Sequence, residues 1–442
     1  MALAFAAVLV ADTQAEPLGP APRPLGRELP SFQAPPDPRE SPAATFAGPT
    51  GELRLRDALA AALLANPGLA ARSYEIRARE AAVLQAGRLH NPTLSVEVED
   101  VLGSGNFAGA REAQTTIRLS QLVELGGKRA ARVRLATAEQ RLAGFDYEDE
   151  RIEVFTRTVD AFVEVLAAQE RLRLADEALE VARAVHGVAR RRVAKGVASP
   201  AEEIRAGVAV DTASVAREHA DHELETARTA LAALWGGIEA RFDRAEGDLS
   251  SLPEPPPLAE LQRRAATSPD LARWVAELEI RDAALASARS QRIPDVTVSA
   301  GPRHLAAEDE AALVLGVSLP LPLWTRNEGS IAEAGHRRAK AARERQAAEV
   351  RVAAEVRTAL TSLRASLEEA RVLEERVLPG IERALAVLRR GYEEGRHSQL
   401  EVFESARAQI EAREQRLLAL VEAHHSALRI ERLTGAPLEE RP

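Results

Sequence analysis

Glu401 and Glu404 lie three residues apart, a spacing that sets two carboxylates on one face of a helix. Carboxylates gathered in this way attract cations and raise one another's pKa, although a solvated pair on an acidic helix has the same spacing. His219 and His222, beside Glu218 and Asp221, have the i, i+3 spacing of helix-borne metal ligands. They are weak candidates, because surface histidines on a charged helix look the same. His424 and His425 are adjacent, point in different directions and make a poor chelating pair. Gly126-Gly127-Lys128 lacks the upstream Gly and the following Ser or Thr of a phosphate loop, so it reads as a strand-to-helix junction. No Ser-His-Asp arrangement or metalloprotease motif is visible. The chain has no Cys, which excludes disulfides, thiolate metal sites and thiol catalysis. These residues point to no enzyme, no cofactor and no committed metal site.

The elements that position these residues come in two copies. Asn66-Pro67-Gly68-Leu69 returns as Ser268-Pro269-Asp270-Leu271, and Leu89-His90-Asn91-Pro92 returns as Arg292-Ile293-Pro294. Pro67 and Pro269 are 202 residues apart, as are Pro92 and Pro294. Lys195-Gly196-Val197-Ala198-Ser199 is echoed by Glu394-Gly395-Arg396-His397-Ser398. Each copy reads as a helix, two short strands, a very long helix, a Gly-Ser turn and a return helix. Repeats of this kind point to assembly rather than to a catalytic pocket.

The pattern is helical from Leu53 to Arg88, with a break near Asn66-Pro67, because a residue before proline disfavours helix. The period then changes to two. Leu94, Val96 and Val98 alternate with Ser95, Glu97 and Glu99, and Ile117 and Leu119 alternate with Thr116, Arg118 and Ser120. In the second copy Val296 and Val298 are followed by Leu313, Leu315, Val317, Leu319 and Leu321. Strict alternation predicts one apolar and one polar face. Strands of about ten residues suit a tilted bilayer crossing; two hairpins on a soluble core would alternate similarly. Residues 128–195 contain no Pro, and as one helix would be about 100 Å long. Val356, Leu360, Leu363, Leu367 and Ala370 form a heptad seam that continues through Val377, Ile381, Ala384 and Leu388 after a polar interruption at Glu374. Return helices over 200–235 and 398–434 fold back as antiparallel hairpins.

The boundaries that follow are a signal-like segment over 1–15, a Pro-rich leader over 16–50, repeats over 51–252 and 253–434, and a tail over 435–442. The signal-like segment has an apolar run but no basic start, which points to an incomplete N-terminus. The leader reads as extended and mobile, with little to bury. With 58 basic against 67 acidic residues, the chain has no nucleic-acid character. Hydrophobic residues make up 45% and aromatic residues only 3%, a balance that suits closely packed Ala-rich helices. No segment is apolar over the ~20 residues of a membrane helix, so a membrane crossing would be made by strands. Four strands cannot close a barrel, and open edges in lipid are costly, so a membrane reading requires several chains to share one barrel.

Three stretches carry a family resemblance. They are Ser120-Gln121-Leu122-Val123-Glu124-Leu125-Gly126-Gly127-Lys128-Arg129, Arg292 to Gly301, and Gly316 to Gly329 with Pro320, Pro322, Trp324 and Asn327. Together with the duplication over 52–434, they resemble outer membrane efflux proteins of the TolC-like family, in its cobalt–zinc–cadmium and copper–silver branch. The resemblance implies a mainly α fold with a small β part: a homotrimer with a twelve-stranded barrel in outer-membrane lipid and a helical barrel in the periplasm. It implies a passive duct that docks on a periplasmic adaptor served by a proton-driven inner-membrane pump. It places Gly196, Val197, Ala198 and Ser199, and Gly395, Arg396, His397 and Ser398, at adaptor-docking tips, and Glu401 and Glu404 at the channel gate. Two departures are the missing lipidated Cys, which leaves anchoring to the barrel, and a thin aromatic belt of Phe107 and Trp324. Drug efflux or type I secretion would use the same channel. A soluble coiled-coil scaffold would explain the helices but leave the matched strands unexplained.

Overall fold

The computed structural model describes residues 23–40, 46–252, 254–394 and 396–438. The signal-like segment and Gly395 lie outside the described residues.

The first repeat opens with β1 (Gly51–Arg54), α1 (Leu55–Ala65) and α2 (Pro67–Ala86), followed by β2 (Thr93–Glu99) and β3 (Gln114–Val123). The helical arm follows as α3 (Lys128–Ala194) and α4 (Pro200–Ala233), and β4 (Phe242–Glu246) closes the repeat. The second repeat runs α5 (Leu258–Ala265), α6 (Pro269–Ser290), β5 (Val296–Leu305) and β6 (Glu310–Ser318), then α7 (Glu328–Val372). A π-helical turn, Leu373–Val377, separates α7 from α8 (Leu378–Glu393), and α9 (Gln399–Thr434) returns. The chain divides into two compact units.

One unit holds Glu75–Phe145 and Arg273–Gln346. Its sheet has the order β2-β3-β5-β6, antiparallel throughout, so the two hairpins meet through β3 and β5. The register places Leu94, Val96, Val98, Ile117, Leu119, Val298, Leu313, Leu315 and Val317 on one face, all exposed. The other face carries Ser95, Glu97, Glu99, Thr116, Arg118, Ser120, Thr297, Ser299 and Arg303. β2 has seven residues, fewer than expected, and β6 stops at Ser318. Leu319 and Leu321 therefore lie beyond the strand, because Pro320 and Pro322 have no N–H to give to a ladder. The β3–β5 ladder lapses beside Gly301 and Pro302. A Cβ at Gly301 would overlap the Ile117 carbonyl, so this close approach admits only glycine.

Where the strands hand over to helices, Gly126 (φ +69°) and Gly127 (φ +73°) turn the chain into α3. A side chain at Gly126 would press on Ile293 at 2.9 Å. Lys128, nearly buried, pairs with Asp295 at 2.8 Å, and Asp295 also accepts from the Leu125 amide at 3.0 Å. Glu124 is held by Arg132 at 2.6 Å, and that bond keeps its carboxylate below the usual range. This is the junction expected from Gly126-Gly127-Lys128. Neighbouring helices are joined by Arg79–Glu139 (2.9 Å) and Arg141–Glu279 (3.2 Å).

The other unit holds Ala21–Tyr74, Asp146–Ala272 and Ala347–Pro442. One core gathers Leu53, Leu63, Leu69, Ile152, Phe155, Phe162, Leu231 and Phe242; a second gathers Leu261, Val356, Leu360, Leu363, Ile430 and Leu433. The second core is built from the second repeat, whereas the first also takes in Leu417, Val421 and Leu428 of α9. β1 pairs in parallel with β4, a small sheet absent from the sequence expectation, which had Leu53 in a helix. The predicted seam is buried through Val356, Leu360, Leu363 and Ala370, and departs by one residue at Ala384. Val377, Ile381 and Leu388 are half-buried as expected, but Leu385 is buried in place of Ala384, which is exposed, and Leu373 is buried at the start of the π-turn. The π-turn adds one residue to the helical path and rotates everything after it.

The leader also departs from expectation, since part of it is docked rather than mobile. Leu25 and Ala34 are buried, the Arg23 amide donates to Glu148 at 2.7 Å, and Tyr147 Oη donates to the Phe32 carbonyl at 2.6 Å. Buried Arg151, paired with Glu148 at 2.7 Å, donates to the Leu25 carbonyl at 2.9 Å. The Leu25 amide in turn donates to the Gly435 carbonyl at 3.4 Å. A few apolar residues between the prolines suffice to hold the segment, because α3 supplies donors for its carbonyls. No described helix is long and apolar enough to cross a membrane.

Candidate functional site

The first hairpin tip is set by a Schellman motif. The Gly196 amide donates to the Val193 carbonyl (2.9 Å) and the Val197 amide to the Arg192 carbonyl (3.0 Å), with Gly196 at φ +71°. Ser199 caps α4 by accepting from the Ala201 amide at 3.3 Å, and Pro200 occupies the first helical position. Val197 stands exposed on the turn. Beyond the tip the hairpin is antiparallel, since Arg217 of α4 reaches Asp176 of α3 at 3.2 Å.

The second tip is built differently. The Gly391 carbonyl accepts from the Arg396 amide at 2.7 Å and the His397 amide at 3.3 Å, and a Cβ at Gly391 would collide with the His397 ring. Ser398 and Glu401 form a reciprocal capping box. The Ser398 amide donates to Glu401 Oε2 at 2.6 Å, and the Glu401 amide donates to Ser398 Oγ at 3.3 Å. The Ser398 amide therefore holds the Glu401 carboxylate below its ordinary range, opposite to the rise expected from a neighbouring Glu404. Glu404 is exposed on the next turn. The two carboxylates are thus brought near one another but not into one cluster within the chain.

The tips touch through a contact that the sequence reading missed. Arg192 donates to Tyr392 Oη at 3.0 Å, with its guanidinium carbon 5.5 Å from the ring centroid. The available signal was Tyr392 itself, one of three tyrosines in the chain, placed three residues before Gly395. His219 and His222 are exposed on α4, and among the described residues no group of three His, Cys, Asp or Glu could hold a metal ion. His424 and His425 do diverge. His424 Nε2 approaches the Leu249 carbonyl at 3.0 Å, while His425 Nε2 lies 3.2 Å from Asp160 and 3.3 Å from Glu164. The Glu164 carboxylate raises the His425 pKa against the opposing effect of burial.

In the four-stranded sheet, Arg303 of β5 donates to Thr116 Oγ1 (3.0 Å), Gln114 Oε1 (3.1 Å) and Glu99 Oε2 (3.4 Å), spanning three strands. Arg118 lies 3.7 Å from Glu97. Phe107 and Trp324, the predicted interfacial aromatics, are both exposed, Trp324 by 93%.

Comparison with known proteins agrees with this architecture. The family described as outer membrane efflux protein matches residues 58–237 and 261–436, one match per repeat. The cobalt-zinc-cadmium resistance protein CzcC of Cupriavidus metallidurans is 34% identical over 385 residues, covering 87% of this chain and 90% of the relative. Among solved structures, CusC superposes with a TM-score of 0.73 at 17% identity, covering 92% of this chain and 99% of that one. VceC of Vibrio cholerae gives 0.71 at 20% identity, covering 87% and 97%. The fold is that of the TolC-like channels, with a duplicated helix–hairpin–helix unit, and the chain belongs to the outer membrane efflux protein family.

Proposed function

We propose that this chain forms the outer-membrane channel of a tripartite efflux system, a passive exit duct for heavy-metal cations. The observation that carries the reading is the four-stranded sheet: one face is apolar and exposed, the other polar, and both edge strands are open. In a bilayer each unpaired backbone group at those edges costs several kcal/mol. Three chains that pair β2 of one with β6 of the next satisfy every edge and give twelve strands. The apolar face then meets lipid and the polar face lines a lumen. The name of CzcC, a cobalt-zinc-cadmium resistance protein, supports divalent metal as cargo.

In this reading the tips Gly196–Ser199 and Arg396–Ser398, with Gly395, dock on a periplasmic adaptor served by an inner-membrane pump. Their tight turns present exposed Val197 and Arg396 on capped helix ends. Glu404, with Glu401 above its own helix cap, supplies the carboxylates of the gate, three copies of each per trimer. Their joint charge favours cations at the constriction.

The test is the native mass after detergent extraction from isolated outer membranes, together with metal sensitivity on deletion. A trimer found only in the detergent extract, and sensitivity to cobalt, zinc or cadmium, is the expected result. A water-soluble species would overturn the shared barrel. Sensitivity confined to dyes and antibiotics would move the cargo to organic compounds.

A further inference from the structure

The polar face of the sheet is not uniform. Near the ends joined to helices it carries Thr93, Ser95, Ser120, Thr297, Ser299 and Ser318, all uncharged. From mid-sheet toward the hairpin loops it carries Arg118, Glu97, Arg303 and Glu99, with Glu310 at the loop end of β6. Each arginine engages one glutamate of β2: Arg303 reaches Glu99 at 3.4 Å and Arg118 reaches Glu97 at 3.7 Å. Exposed ion pairs of this kind contribute about 0–1 kcal/mol each, too little to explain four charges on a stability ground. Arg303 is also pinned by Thr116 and Gln114, so its charge stays in place. Among the described residues Arg118 Nε has no hydrogen-bond partner, and its ion-pair contact is with Glu97.

Glu97 and Glu99 alternate on one strand, with Cα atoms about 7 Å apart on the same face. Side chains of that length can close on a single divalent cation. A duct for such cations must admit them without holding them, because conduction needs binding weak enough to release. We infer that Arg118 and Arg303 are specificity-determining residues of the barrel lumen, engaging Glu97 and Glu99 so that the wall does not capture divalent metal in transit. The inference rests on the proposed channel reading. It assigns these lumen residues a role separate from that of the proposed gate carboxylates Glu401 and Glu404.

The test is single-channel conductance of the reconstituted protein in KCl, with cadmium chloride as the probe. Wild type is expected to show cadmium block only at high cadmium concentration. Arg118→Gln with Arg303→Gln frees both glutamates, and half-block is expected at a cadmium concentration at least about tenfold lower than in wild type. Adding Glu97→Gln and Glu99→Gln should abolish the block again, and Arg→Lys at both positions should keep the wild-type response. Equal cadmium response in wild type and the double Gln variant overturns the inference while leaving the conducting channel intact. Absence of conductance in wild type overturns the channel reading and this inference with it. If the double variant fails to assemble, Arg118→Gln alone, which removes only the Glu97 contact, must still raise cadmium sensitivity and shift the KCl reversal potential toward cations. An unchanged reversal potential and cadmium response in that variant overturns the inference.

Discussion

The two helical arms share one plan and differ at one place. α3 runs unbroken from Lys128 to Ala194, whereas its counterpart is divided by the π-turn at Leu373–Val377, followed by Pro379 and Gly380. Proline lacks the N–H for the helical ladder, and its ring crowds the carbonyl four residues earlier. Widening the preceding turn relieves that crowding at the expense of one residue of helical phase. The first arm is a continuous ladder, and the second carries a local discontinuity on the way to its tip. Twofold sequence repetition therefore did not produce two mechanically equal arms.

The comparison breaks most severely if the cores are attacked. Leu231→Ala and Leu363→Ala each remove a fully buried side chain, one per repeat, and each should cost about 2–5 kcal/mol. Denaturant unfolding of the two variants measures whether the cores are equivalent; a loss confined to one would show that the other repeat carries the fold alone. Next in size is Pro379→Ala, which should let the π-turn relax to α-helix and rotate the following residues by about 100°. The chain has no cysteine, so Ala384→Cys and Leu385→Cys report the change cleanly through thiol labelling. Protection should pass from position 385 to 384; an unchanged pattern would show that the proline does not cause the turn.

A smaller effect joins the two arms through His425 of α9 and Asp160 and Glu164 of α3. Glu422 and Arg429 on α9, and Arg171 through Glu164, complete the charged surroundings. The His425 pKa is raised on folding, chiefly by Glu164. Its contribution is therefore fully present below the unfolded value near 6.5 and is lost as pH rises through the folded value. The partial exposure limits it to about 1 kcal/mol or less. Melting temperature followed across that pH range should show a step in wild type that His425→Gln removes. The smallest effect is at the tips. Tyr392→Phe deletes the bond from Arg192 but keeps the ring, and should cost about 0.5 kcal/mol; Tyr392→Ala also removes the cation–π contact and should cost about 1 kcal/mol. Amide exchange at Gly196 and His397 compares the two, and equal protection in both variants would mean the tips are held by their own turns.

What was legible in the sequence follows from the length of each pattern. A proline-free stretch of the size of α3 leaves few alternatives to helix, and the alternation around Val96, Ile117, Val298 and Leu315 fixes the apolar face of a strand. The first Gly-Ser turn also stands where expected, as does the helix cap at Ser398. β1 and β4 were invisible because strands of four and five residues are too short to show a period, and their pairing spans most of the first repeat. The one-residue slip after Leu373 was hidden because a heptad pattern assumes a constant pitch. For Glu401, spacing alone could not tell that the nearer partner is the Ser398 backbone. Arg303 gives no sign in the sequence, because its partners lie on two other strands and no linear spacing connects them.

The docked leader has a consequence for the order of events in making this protein. Residues 23–36 lie against Tyr147, Glu148 and Arg151, and the Leu25 amide meets the carbonyl of Gly435. A polypeptide that emerges from its N-terminus exposes this strap first, more than a hundred residues ahead of Arg151 and some four hundred ahead of Gly435. The strap therefore waits for α3 before it can pair at all, and its contact with Gly435 comes far later. Its prolines suit that interval, since they keep it out of premature strands while its binding groove does not yet exist. A turn that follows the final long helix completes the place where the strap comes to rest.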